Sequence, residues 1–184
     1  MIVDCQTEQQ LADSKFIKKF DKIGIIDHHR KGAGGVQNPR YYYTSPSASS
    51  SVELISGLFE FLEKPLDINE LEATILLLGV VVDTNNFVYR TSSTTFEIAA
   101  KLQKYGADMN AVKTYLKEDH QEKKIRSTFV NNMEVHRNRV AIAYSEENVH
   151  HERATLAKVS DELISISGIE LGITVGYIGE KEVG

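Results

Sequence analysis

Residues 22–30 read KIGIIDHHR: Lys22, Ile23, Gly24, Ile25 and Ile26 lead into Asp27, His28, His29 and Arg30. A short apolar run of this kind reads as a buried strand, and its polar end carries one acid, two imidazoles and a base. Upstream, Ile2-Val3-Asp4 has the same shape, apolar residues followed by a carboxylate. Between them, Leu11, Phe16, Ile17 and Phe20 predict a crossover helix over 8–20. Strand, helix and strand in so short a span imply a parallel βαβ unit.

Downstream, KGAGGVQNP (31–39) holds three glycines and a proline and predicts a loop. Residues 40–44 are aromatic and predict a third strand. Val52, Ile55, Leu58, Phe59 and Leu62 recur at helical spacing, behind serines at 47 and 49–51 suited to capping free N–H groups. Residues 68–82 place Leu71, Ile75, Leu78 and Val82 on one helical face. LLLGVVVD is apolar almost all round, so the period admits either a helix throughout or a helix passing into a buried strand. Helices are expected over 92–105 and 110–116.

KEDHQEKKIR (117–126) is polar and charged, and predicts a solvated helix or joining segment. A strand at 139–144, a helix at 151–166 and a strand at 171–178 follow. The organisation expected is therefore an α/β domain over 1–118 with a doubly wound, mainly parallel sheet. A linker at 119–128 and a second, incomplete α+β domain at 129–184 come after it.

The chain has 184 residues and a formal net charge of −5. That balance argues against a grip on long nucleic acid, which needs a clustered basic face. No apolar run approaches the roughly 20 residues of a membrane-spanning helix, and the first residues do not resemble a signal peptide. The single cysteine, Cys5, cannot form an internal disulfide, which fits a reducing cytoplasm.

Asp4, Asp27-His28-His29 and Asp83 each follow an apolar run. In an open parallel sheet the residues just past the strand ends converge on the ligand crevice. Asp, His and Asp delivered there would make a site for Mn²⁺ or a similar ion. Taken singly, each acid is more simply a cap or turn residue. The second histidine pair, His150-His151, lies in a charged stretch and reads as a solvated surface feature, as do His120 and His136.

Asp27-His28-His29-Arg30 resembles the signature of the DHH phosphoesterase superfamily. Residues 79–108, GVVVDTNNFVYRTSSTTFEIAAKLQKYGAD, are similar to the following segment of its cyclic-di-AMP phosphodiesterases of the GdpP type, and PSASSSVELI (46–55) resembles the family's Ala-Ser-Ser helix start. The resemblance implies a manganese-dependent hydrolase that opens a cyclic dinucleotide. Asp4 would bridge two manganese ions, and His28 and Asp83 would bind the second. His29 would act on a substrate phosphate, Asp27 would support the histidines, and Arg90 would assist the substrate. The family's first motif, a His followed by Asp-x-Asp, and its glycine-rich Gly-Gly-His segment have no counterpart in these residues. The expectation is thus a chain impaired in hydrolysis by itself, holding one manganese ion or none. The same chemistry on short oligonucleotides or pyrophosphate is the alternative, and a non-catalytic nucleotide-binding module is a third. The family further implies a cytoplasmic segment of a parent anchored in a membrane elsewhere. A homodimer is left open.

Overall fold

A computed structural model describes residues 1–11, 13–31, 34–146, 149–178 and 182–183. Part of the 31–39 loop thus lies outside the described residues. The chain divides into two compact units, Met1–Leu116 and Lys117–Gly184.

The first unit is built on three parallel strands in chain order: β1 (Ile2–Val3), β2 (Gly24–Asp27) and β3 (Tyr41–Thr44). Ile2 pairs with Ile25 and Val3 with Ile26, while Asp27 pairs with Thr44. β2 is central, and its Ile25, Ile26 and Asp27 are buried, as a strand covered on both faces requires. The α/β architecture with a parallel sheet is the one expected from the sequence.

The predicted crossover helix at 8–20 is not an α-helix. It is two short 3₁₀ segments, Glu8–Gln10 and Ser14–Lys19. The reason is competing caps. Thr7 and Gln10 bond reciprocally around the first turn, and the Asp13 carboxylate accepts from Lys15 N at 2.9 Å to start a second one. Each cap opens a new turn instead of extending the last.

Four helices follow: α1 (Ser51–Leu58), α2 (Glu70–Asp83), α3 (Ser93–Lys104) and α4 (Met109–Tyr115). Their starts are fixed by Ser50, Asn69, Ser92 and Asp108, each accepting a backbone N–H of the first turn. Residues 68–82 are therefore helical to the end, without passing into a strand. The face drawn by the spacing is mostly the exposed one: Leu71, Ile75 and Val82 are 58%, 54% and 55% exposed, and of its four residues Leu78 alone packs against the core. The opposite face, with Ala73, Leu77, Val80 and Val81, enters the core, where Leu77 and Val81 meet Ile98, Leu102 and Val112. A helix apolar on every side gives its period no means of choosing a face.

In the second unit, α5 (His120–Asn131) covers most of the stretch read as a joining segment. It buries Phe129 and Arg126, and Arg126 pairs with Glu118 and, at 3.0 Å, with Glu162. β4 (Glu134–His136), which the sequence reading did not separate, runs antiparallel to β5 (Val140–Tyr144). Arg137 and Asn138 turn between them at positive φ, 52° and 57°, the conformation a tight hairpin needs. β5 is followed by α6 (Arg153–Ile164) and then by β6 (Leu171–Val175), which pairs parallel to β5. Phe129, Ala141, Ala143, Leu156, Val159 and Leu163 form the core of this unit. A Cβ at Gly172 would lie 2.7 Å from Ser160 O, so β6 and α6 touch backbone to backbone. β7 (Tyr177–Ile178) and β8 (Glu182–Val183) complete the described strands.

The orientation of α2 has a direct test. Leu77→Ala removes a side chain 1% exposed and should cost about 2–5 kcal/mol in urea unfolding. Ile75→Ala should change stability by about 0.5 kcal/mol or less. On a strand the two residues would share a face, so equal costs would refute the helical placement.

Candidate metal centre

Parallel pairing of β1 with β2 carries Asp4 and Asp27 to the same end of the sheet. Asp4 follows β1 at φ 59°, in the left-handed region that a non-glycine residue rarely adopts, and its N–H donates to Ile26 O at 2.9 Å. Asp27 closes β2, and His28 and His29 turn out from it with ring centroids 4.3 Å apart. Asp83 does not sit at a strand end, as the sequence reading supposed. It is the last residue of α2, and the C-terminus of that helix brings it to the same place.

His28 Nε2 lies 3.4 Å from Asp4 Oδ1 and 3.7 Å from Asp83 Oδ2. These separations exceed a good N–H···O hydrogen bond. His28 is 3% exposed, and neither of its ring nitrogens has a hydrogen-bond partner among the described residues. A buried polar nitrogen without a partner costs about 1–3 kcal/mol. One imidazole and two carboxylates around a common centre fit a divalent cation, which would turn an unsatisfied nitrogen and two mutually repelling acids into ligands. The tightest cluster of donor groups among the described residues is Asp4, Asp27, His28 and His29, with one donor atom of each within 4.8 Å of the others. Asp83 joins it through His28.

Asp27 is fully buried and bonded to its neighbour. Its Oδ1 accepts from His29 N at 2.9 Å and stands 2.7 Å from His29 Nδ1. That pairing fixes the half-exposed His29 ring and leaves its Nε2 as the nitrogen able to meet a ligand. His28, His29, Arg30 and Arg90 line one cleft of about 510 Å³, together with Gln6 and Pro46. Arg90 reaches it from a tight turn. Asn85, Asn86 and Phe87 have φ of 46°, 59° and 62°, and Arg90 has 51°. Thr84, fully buried, holds this turn by accepting from Phe87 N at 3.0 Å and, at its carbonyl, from Val88 N and Tyr89 N.

Two supporting residues escaped the sequence reading. Ser51 Oγ donates to Asp4 Oδ1 at 2.8 Å, a role apart from the helix capping and phosphate contact that the sequence suggests for these serines; the cap of α1 is Ser50. Gln6, 3% exposed, donates to the carbonyls of His29 and Arg30 and accepts from Tyr42 Oη at 2.7 Å. Nothing in a lone glutamine near the start of the chain announces that role. Burial, with Asp27 and Asp4 nearby, pushes the Cys5 thiol up, which disfavours the thiolate a nucleophile needs. The other histidine pair belongs to the second unit. His151 is not fully solvated: it packs its ring edge-on against Phe129 at 5.0 Å, and burial lowers its pKa. His150 is exposed and set against Tyr177, and His120 and His136 are exposed.

Burial raises the Asp83 carboxyl above the ordinary aspartate range, with the His28 ring opposing and the Asp4 carboxylate adding to the rise. A raised folded-state pKa means that ionising Asp83 costs stability. The cost is absent at acid pH, where the group is protonated folded or unfolded, and complete above the folded pKa. Asp83→Asn should therefore raise the thermal midpoint in chelator at neutral pH, with the gain vanishing in acid. The same substitution should abolish stabilisation by Mn²⁺. A lowered midpoint in chelator at neutral pH would refute this account of Asp83.

No family model matches the chain. It is 35% identical over 185 aligned residues to the cyclic-di-AMP phosphodiesterase GdpP of Bacillus subtilis, a match that takes in all of this chain and 28% of that protein. It is 36% identical over 93 residues, half of the chain and 16% of the relative, to a probable manganese-dependent inorganic pyrophosphatase of Thermotoga maritima. An exopolyphosphatase-related protein of Bacteroides fragilis shares the fold, with a TM-score of 0.81 at 18% identity over 94% of this chain and 53% of that one. The chain is thus, along its whole length, a relative of the GdpP-type cyclic-di-AMP phosphodiesterases, and it bears the Asp-His-His-Arg signature of the DHH phosphoesterases at the end of its central strand.

Proposed function

We propose that the protein carrying this chain is a manganese-dependent phosphodiesterase that opens cyclic-di-AMP to a linear dinucleotide. The observation that carries the proposal is the buried His28 Nε2, facing Asp4 and Asp83 beside the His29 ring in one cleft. Asp4, His28 and Asp83 would hold the cation. A divalent ion held there supplies the positive charge and the activation of water that phosphodiester hydrolysis requires.

The chain's own residues do the rest. Asp27 holds the His29 ring through Nδ1, so that its other nitrogen can donate to a phosphate oxygen. Arg30 and Arg90 line the cleft and offset the negative charge of the ester, which a chain of net charge −5 does not attract by itself. Thr84, through the 85–90 turn, keeps Arg90 at the cleft. The similarity to the Thermotoga pyrophosphatase supports a second substrate, pyrophosphate, at the same groups. Whole-length similarity to GdpP favours the cyclic dinucleotide.

Chromatographic assay of cyclic-di-AMP and of pyrophosphate, each with Mn²⁺, separates the two. Turnover of the cyclic dinucleotide by the whole protein carrying this chain is expected. His28→Ala should reduce it by more than about 100-fold, beyond what losing a group that merely supports a ligand costs. His150→Ala should leave it within a few-fold of the unsubstituted protein. Turnover of pyrophosphate alone would transfer the proposal to that substrate, and equal losses at His28 and His150 would sink the site assignment.

A further inference from the structure

We propose that Glu53 is a positioning residue that sets the Asp4 carboxylate through the start of α1, an inference that rests on the divalent-cation reading above. Glu53 is the third residue of α1 and 9% exposed. Its Oε2 accepts from Ser49 Oγ at 2.5 Å, from Ser49 N at 3.3 Å and from Thr95 Oγ1 at 2.8 Å. These donors are hydroxyls and an amide. A carboxylate buried among neutral donors is costly, and a plain staple between two helices is made as well by an uncharged side chain. Glu53 lies in the first turn of α1 and touches the first turn of α3, where helix dipoles favour negative charge.

What the carboxylate holds connects it to the metal centre. Ser49 is fully buried and held by two bonds to Glu53. Ser50 accepts from Glu53 N at 3.1 Å. With 49 and 50 fixed, Ser51 presents its hydroxyl to Asp4 Oδ1, the same oxygen that faces His28 Nε2 at 3.4 Å. Asp4 needs such a hold, because it sits at φ 59° with its side chain 50% exposed. On the other side, Thr95 Oγ1 also accepts from Ser92 N at 3.0 Å, so the carboxylate is tied to the start of α3 and does not move with α1 alone. Glu53 thus acts on the donor set without belonging to it.

The test is calorimetric titration of the whole protein carrying this chain with Mn²⁺, with thermal unfolding in chelator as a check on folding. Glu53→Met, which keeps volume and helix propensity but removes both acceptors, should weaken Mn²⁺ binding roughly 10-fold or more, the range for groups that orient metal ligands. Glu53→Gln retains an acceptor oxygen and should recover most of the affinity. Ser51→Ala should weaken binding to a similar extent, and the double variant Glu53→Met/Ser51→Ala should bind no worse than Ser51→Ala alone, since both act along one path. If Glu53→Met does not fold, Ser49→Ala takes its place in the same cycle. A lower thermal midpoint with Mn²⁺ affinity within twofold of the unsubstituted protein would make Glu53 a structural staple and overturn the inference. Additive losses in the double variant would overturn it too. If the whole protein carrying this chain, unsubstituted, binds no Mn²⁺, the cation reading itself fails and takes this inference with it.

Discussion

Parallel pairing of Ile2–Val3 with Gly24–Asp27 is the constraint on which the candidate centre depends. Strands that run the same way deliver their following residues to the same end of the sheet. Asp4 and Asp27-His28-His29 are more than 20 residues apart in sequence, yet this register puts them side by side. A slip of one residue would turn Ile26 and Asp27 to opposite faces. In this register Asp27 pairs with Thr44 and the Asp4 N–H donates to Ile26 O at 2.9 Å, contacts that a slip would break.

Outside the centre the local rules agree with one another. Helices α1 to α4 start at residues that accept first-turn N–H groups, and the core of the first unit is closed by aliphatic side chains. Around the centre those rules are broken together. Asp4, Asn85, Asn86, Phe87 and Arg90 adopt left-handed backbone, Asp27 Oδ2 and both nitrogens of His28 lack hydrogen-bond partners among the described residues, and burial raises the Asp83 pKa. Burying these groups unpaired opposes folding, so strain and unsatisfied polarity gathered at one sheet end mark a place shaped for a ligand. Glu53, Thr84 and Gln6 show what holds that strain: buried polar side chains that bond to the backbone or side chains beside the donors.

The second unit is built by different means. A hairpin turned by Arg137 and Asn138 is joined to a parallel strand through α6, and β6 lies against that helix at Gly172. Arg126 reaches Glu118 and Glu162, so α5 is more than a solvated connection although its sequence is charged. Its stem lies in the interior while the guanidinium is met by carboxylates, a combination that a count of apolar residues does not register.

The sequence by itself determined the three strands of the first unit, because each is a short apolar or aromatic run, and most of the helices, because their caps and spacing are local. It also pointed to Asp4, His28 and Asp83 as candidate ligands, since each stands at or just past the end of an apolar segment, and the structure brings the two carboxylates to within 3.7 Å of His28 Nε2. Tertiary structure decided what local pattern leaves degenerate. LLLGVVVD is apolar on every side, so only packing on Ile98, Leu102 and Val112 selects the Leu77 face of α2, and with it a helix end instead of a strand end for Asp83. The segment at 8–20 carries helical spacing, but its two caps divide it. Ser51 on Asp4 and Thr95 on Glu53 are contacts between residues more than 40 apart, formed only once β1, α1 and α3 have been brought together. A pattern along the chain records which face a residue prefers. It does not record which distant hydroxyl will stand 2.8 Å away.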